Sequence, residues 1–135
     1  MILTDTGPLV ALLDADDPHH ARCLAALPTL QEPLVTTWAC FTEAMYLLGR
    51  ELRYPAQEAL WGYVADGLLV LHTPREGEPE RMRTLMAQYR DRPMDLADAS
   101  LVAAAETRNL RRIFTLDSDF YVYRLHGAHA FEVVP

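Results

Sequence analysis

The chain begins Met1-Ile2-Leu3-Thr4-Asp5-Thr6-Gly7-Pro8, and this stretch decides how the rest is read. Ile2–Thr4 has the look of a short buried strand. Gly7-Pro8 then opens a helix to about Leu13, since proline is tolerated in a first helical turn. Asp5 lies where the strand ends, and in open α/β sheets ligand crevices form beside such ends. Asp is also a common turn or cap residue ahead of a helix, so position alone leaves both roles open.

The same alternation continues along the chain. Asp14-Ala15-Asp16-Asp17 is a polar break, and Asp17-Pro18 resembles an N-cap with proline at N1, opening a helix to about Leu27. Leu34–Thr36 reads as a second strand. Helices follow over Trp38–Arg50 and Pro55–Asp66, the latter stopped by Gly67. Leu68–His72 is a third strand and Thr73–Pro79 the clearest loop. A helix then runs to about Tyr89, and Asp91-Arg92-Pro93 is a break. Leu96–Thr107 is a strong helix, with strands expected over Arg112–Thr115 and Phe131–Val134. Alternating strands and helices predict a central, mostly parallel sheet of four to five short strands. Helices on both faces make this a three-layer α/β/α fold, a single domain over residues 1–135.

No apolar run reaches membrane-spanning length and no basic segment precedes the first strand, so a cytoplasmic protein without a membrane partner is expected. Cys23 and Cys40 lack metal-ligand spacing and are expected to be small core residues.

Three further acids stand where structure alone gives little reason for a carboxylate. Glu43 interrupts the apolar stretch Trp38–Leu48, which as a helix is hydrophobic nearly all round. A buried, unpaired carboxylate there would need a cation or a strong hydrogen-bond partner. Asp98 stands three residues after Asp95; Asp95 makes a good N-cap, whereas Asp98 shares a face with Leu101, Val102 and Ala105 and turns toward packing. Asp117 follows the apolar pair Ile113-Phe114 by a short step, in Asp117-Ser118-Asp119. That triplet also suits an Asx-type turn, and Asp119 is an auxiliary candidate. Carboxylates gathered from distant segments repel one another unless a cation holds them, and Mg²⁺ and Mn²⁺ prefer such oxygen donors. The four are therefore read as a metal cage for hydrolysis.

The order of strand-end Asp5, helical Glu43, helix-start Asp98 and strand-end Asp117 resembles the PIN-domain ribonucleases. The motifs are Asp5-Thr6-Gly7-Pro8, Thr42-Glu43-Ala44, Leu96-Ala97-Asp98-Ala99-Ser100-Leu101-Val102 and Thr115-Leu116-Asp117-Ser118-Asp119-Phe120, and they span essentially the whole chain. At this length the resemblance is to VapC-type toxins of toxin–antitoxin pairs. It implies an Mg²⁺- or Mn²⁺-dependent endoribonuclease, a small cognate antitoxin and, often, a homodimer. It also makes Thr6 and Thr115 candidates for supporting or substrate contacts. Gly7-Pro8 departs from the serine–hydrophobe pair common in the family.

The net charge of −7 runs against the usual basic balance of nucleic-acid binders, although bound cations would offset part of it. All twelve basic residues are arginine, which suits bidentate phosphate contacts. Arg92, Arg108, Arg111 and Arg112 are the expected RNA contacts. Phosphatases and receiver domains with an Asp after their first strand need a later lysine, and this chain contains none. A serine-hydrolase Gly-x-Ser-x-Gly elbow is absent as well. The alternative from another class is a PIN-like RNA- or protein-binding module with little catalysis.

Overall fold

The computed structural model describes all 135 residues. In chain order the elements are β1 (Ile2–Thr4), α1 (Thr6–Leu13), α2 (His20–Leu30), β2 (Leu34–Thr37), α3 (Trp38–Leu52), α4 (Tyr54–Ala65) and β3 (Leu69–His72). There follow α5 (Glu78–Gln88), α6 (Leu96–Arg108), β4 (Arg112–Phe114), a 3₁₀ turn at Ser118–Tyr121, β5 (Arg124–Leu125), β6 (His129–Ala130) and β7 (Glu132–Val134). The main sheet has the order β3-β2-β1-β4-β7, with every neighbouring pair parallel.

Period-two alternation divides the core into two layers. Ile2, Leu34, Leu69 and Phe114 turn toward α1–α4, where they meet Leu9, Leu12, Phe41 and Leu60. Leu3, Val35 and Ile113 turn the other way, onto Leu85 of α5 and the alanine-rich α6. Helix α6 is buried without a break from Asp98 to Ala105. Its small side chains let the backbone lie close to the sheet, so Ala104, with no exposed surface, has no room to grow. Ala104→Leu is expected to destabilise the protein by about 1–3 kcal/mol through overpacking, as read from the urea unfolding midpoint; an unchanged midpoint would contradict this packing.

Four sequence expectations shift in detail. Helix α2 starts at His20, not Pro18, because Asp17 accepts from His19 N (2.8 Å) and its carbonyl accepts from His20 N (3.0 Å), closing a turn ahead of the helix. It then continues through Pro28 to Leu30. Pro79, expected in the loop, lies in the first turn of α5, where its missing N–H costs nothing. The antiparallel pair β5–β6 was not anticipated, since two-residue strands around His126 and Gly127, both at positive φ, are too short to show alternation. Finally, α3 is not hydrophobic all round in space. Cys40, Phe41, Ala44 and Leu48 are buried, whereas Trp38, Thr42, Glu43 and Tyr46 are exposed. An apolar residue type does not by itself mark a core position, because folded surfaces keep a large apolar share.

Chain direction fixes where a site can form. From β1 the chain proceeds to β2 and β3 on one side of the sheet, and β4 and β7 lie on the other. The crevice therefore opens outside the carboxyl ends of β1 and β4, where the strand order reverses. No helix is long and apolar enough to cross a membrane.

Candidate functional site

Asp5 follows β1 directly and caps α1, its Oδ1 accepting from Thr6 N at 2.8 Å. The cap role and the strand-end position thus coincide in one residue. Its Oδ2 accepts from Thr115 Oγ1 (2.8 Å), just past β4, and Cys40 Sγ lies 3.9 Å from Oδ1. Thr115 Oγ1 also accepts from Asp117 N at 3.0 Å, so a single hydroxyl ties the two strand ends together. Thr6 Oγ1 donates toward the Cys40 carbonyl (3.2 Å) and toward Glu43 Oε2 (3.1 Å). Glu43 consequently reaches the site from the exposed rim of α3, contrary to the burial expected for it.

Asp98 enters from the opposite side of the crevice, at the start of α6. Asp95 Oδ1 accepts from Asp98 N at 2.8 Å, the expected cap, and Asp98 Oδ2 accepts from the phenol of Tyr123 at 2.9 Å. Asp117 is both the Asx cap of the 3₁₀ turn, accepting from Asp119 N at 2.9 Å, and a member of the acidic group.

These side chains surround a cavity of about 500 Å³ lined by Asp5, Thr6, Gly7, Glu43, Leu47, Asp95, Asp98, Leu116, Asp117 and Ser118, and no basic side chain lines it. Carboxylate oxygens of Asp98, Asp117 and Asp119 also come within 4.8 Å of one another. Asp98 and Asp117 belong to both groups. Asp119 stands outside the cavity lining, and Arg92 Nη1 holds its Oδ1 at 2.9 Å. Asp95 lines the cavity while serving as a cap, so the two roles are not exclusive.

The charges are left uncompensated. Burial, followed by the carboxylates of Asp117 and Glu43, pushes the Asp5 carboxyl up to about 6, against the pull of hydrogen bonds from Thr115 and Thr6. Asp98 is pushed up to about 7 by burial, then by Asp95, with Asp5 and Asp117 adding to it and the Tyr123 hydrogen bond opposing. Burial, then Asp5, lifts the Cys40 thiol to about 12, so it stays protonated. Burial and the bond to Asp98 likewise raise the Tyr123 phenol, keeping it a donor. Hard oxygen donors, mutual repulsion and no arginine in the lining form a donor set that fits a divalent cation such as Mg²⁺ or Mn²⁺.

The four arginines expected at the RNA separate. Arg92 lies beside the site through its pair with Asp119. Arg112 begins β4, at the end of the sheet away from Thr115 and Asp117, and its guanidinium faces Glu32 (3.5 Å) and Glu132 (3.7 Å). Arg111 precedes it and donates to the Ala130 carbonyl at 3.5 Å. Arg108, at the end of α6, donates to His72 Nδ1 (2.7 Å) and Met1 Sδ (3.4 Å). Sequence proximity to a motif misplaced these three, because α6 carries its last turn away from the residues at its first.

Tyr123 and Cys40 were not anticipated as parts of the site. Cys40 had been assigned to the core, which is where it lies, but the same position sets it under Asp5. Nothing in the local pattern of Tyr121-Val122-Tyr123 distinguishes the tyrosine that reaches Asp98.

Residues 2–125 match the PIN domain family. Over 135 residues, 99% of this chain and 100% of the relative, the chain is 29% identical to a protein of Mycobacterium tuberculosis named ribonuclease VapC26. Among solved structures it is similar to Mycobacterium tuberculosis VapC20, described as a sarcin–ricin loop cleaving toxin, with a TM-score of 0.83 and 18% identity, covering 90% of this chain and 94% of that one. It is also similar to VapBC2 of Rickettsia felis bound to a promoter DNA fragment, with a TM-score of 0.68, 12% identity and 98% of each chain covered. A toxin–antitoxin complex from Klebsiella pneumoniae gives a TM-score of 0.67 at 20% identity over 89% of this chain and 90% of that one. At these identities the structural likenesses speak to the fold.

Proposed function

This chain belongs to the PIN-domain family, and from that premise we propose that it is a divalent-metal-dependent endoribonuclease acting as the toxin of a toxin–antitoxin pair. The observation that carries the proposal is the cavity lined by Asp5, Glu43, Asp95, Asp98 and Asp117, with no basic side chain, at the point where the strand order reverses. The end-to-end match to a protein named a ribonuclease supports the reaction class. The toxin–antitoxin complexes among its structural likenesses support a small antitoxin as partner. A homodimer is part of the same proposal.

Asp5, Glu43, Asp98 and Asp117 would hold the cation, with Asp119 at the rim. A bound Mg²⁺ or Mn²⁺ supplies an activated water and offsets charge developing on phosphate. The protein's own contribution is orientation. Thr6 and Thr115 hold Asp5 from two sides, and Asp95 fixes the start of the helix that presents Asp98. With no basic side chain in its lining the cavity repels phosphate, so a bound cation would be needed before a substrate phosphate could approach. Of the four arginines considered, Arg92 is the one beside the site to meet an RNA strand.

The test is a cleavage assay on single-stranded RNA with the full chain stripped by EDTA. Cleavage is expected to be lost on stripping and restored by millimolar Mg²⁺ or Mn²⁺. Cleavage that persists in EDTA would overturn the metal dependence. RNA binding without cleavage at any cation concentration would favour the binding module instead.

A further inference from the structure

Tyr123 is fully buried, and a buried phenol must find a partner for its hydroxyl. The partner here is a carboxylate of the acidic cavity, Asp98 Oδ2 at 2.9 Å. The ring that carries the hydroxyl is clamped. Tyr89 and Phe120 meet it edge to face at 5.0 Å and 5.1 Å between centroids, and Phe120 leans in turn on Phe131 at 5.5 Å. The backbone is held as firmly. Arg124 donates to the carbonyls of Tyr121, Val122 and Tyr123, and Arg124 N donates to the Tyr89 hydroxyl at 3.1 Å.

The same residue reaches the second acidic segment. Tyr123 N donates to the Asp119 carbonyl at 3.1 Å. One side therefore anchors the turn that carries Asp117 and Asp119, and the other grips the acid at the start of α6. These segments are separated in sequence by the whole of α6 and β4, and their carboxylates repel one another. A rigid strut between them sets their spacing without supplying a positive charge that would compete with a cation.

We propose that Tyr123 is the positioning residue of Asp98, fixing the rotation of its carboxylate so that Oδ2 is engaged by the phenol and Oδ1, which accepts no hydrogen bond from the protein, serves the cation. This rests on the reading of Asp98 as a metal ligand. Partners of this kind, one step behind a ligand, typically change metal affinity by about 10–100-fold when removed.

The experiment is Mn²⁺ titration by calorimetry of the full chain, with Tyr123→Phe, Tyr89→Phe and Asp98→Asn beside it. Tyr89→Phe removes a hydroxyl from the same aromatic cluster that accepts from Arg124 N but touches no acid, so it measures what loosening the clamp costs with the phenol–carboxylate bond left in place. Tyr123→Phe is expected to weaken Mn²⁺ binding by about 10-fold, and Tyr89→Phe by clearly less. Excess Mn²⁺ is expected to return RNA cleavage by Tyr123→Phe to near the wild-type rate, a rescue that a folding lesion would not show. Wild-type affinity in Tyr123→Phe, or an equal loss in Tyr89→Phe, would overturn the proposal while leaving the metal site standing. No Mn²⁺ binding by the wild type, or undiminished binding by Asp98→Asn, would overturn the metal reading itself.

Discussion

Asp98→Asn is expected to lower RNA cleavage by at least about 100-fold, since it removes a proposed ligand itself and not merely a group behind one. The same variant is expected to raise the melting temperature of the metal-free protein at neutral pH. The side chain is buried, burial and neighbouring carboxylates oppose its ionisation, and its carboxyl is raised to about 7. Asparagine keeps the shape and an oxygen for the Tyr123 hydroxyl, and it removes the charge. Loss of activity together with a gain in stability is the mark of a group kept for function at a cost to the fold. A residue with a purely structural role would lose both. Asp5→Asn makes a useful contrast. Asp5 accepts from Thr6 N and from Thr115 Oγ1, and Thr115 Oγ1 already accepts from Asp117 N. An amide N–H pointed at that hydroxyl displaces its proton from its acceptor, so Asp5→Asn is expected to lose activity with a smaller gain in melting temperature. Full cleavage activity in either variant, or a destabilised Asp98→Asn, would sink the assignment.

The melting temperature of the protein in EDTA is expected to fall as pH rises from 5 to 8. Both acids have folded values above the unfolded 3.8, about 6 for Asp5 and about 7 for Asp98. The folded state therefore binds more protons than the unfolded state across this window, and stability must decline with pH. The decline begins above the unfolded value and is complete once pH passes the folded values. Taking 1.36 kcal/mol per unit, the loss from pH 5 to pH 8 is roughly 2–4 kcal/mol, or on the order of 10 °C for a domain of this size. Two other acids act with the opposite sign at lower pH. Glu78 and Glu106 have lowered values, because hydrogen bonds, from Thr107 and His72 to the first and from Arg81 and His126 N to the second, outweigh their burial. Their contribution is present above the unfolded value and lost as pH falls through the folded one. Saturating Mn²⁺ is expected to flatten the decline at neutral pH, adding about 2.7 kcal/mol when its concentration is a hundred times its dissociation constant. Thermal scans in EDTA and in Mn²⁺ at several pH values measure both effects. A melting temperature that climbs steadily from pH 5 to 8 in EDTA would refute the description of the cavity.

Much of this was legible in the chain. The five strands of the main sheet and the six helices were each foreseen, to within a few residues at their ends, from short apolar runs, caps and breakers. The acids were visible because carboxylates are conspicuous where neighbours are apolar. Asp5 and Asp98 were foreseen with their local roles: one at a strand end ahead of a helix, the other turned inward behind an Asp95 cap. Glu43 was chosen for a burial that it does not have. It reaches the site through Thr6 and from the rim, a relation between segments far apart in sequence.

Local preferences can be read from the residues alone: strand, helix, cap, and the placing of acids at strand and helix ends. These follow from each residue's own backbone and its neighbours within a turn or two. Only the folded chain sets which distant groups meet. It placed Arg108, Arg111 and Arg112 away from the acidic cavity, set Cys40 beneath Asp5, and put the Tyr123 phenol on Asp98. Strand order and helix direction, not spacing along the chain, bring the Asp5, Asp98 and Asp117 segments to one crevice, and only there do their carboxylates feel one another's charge.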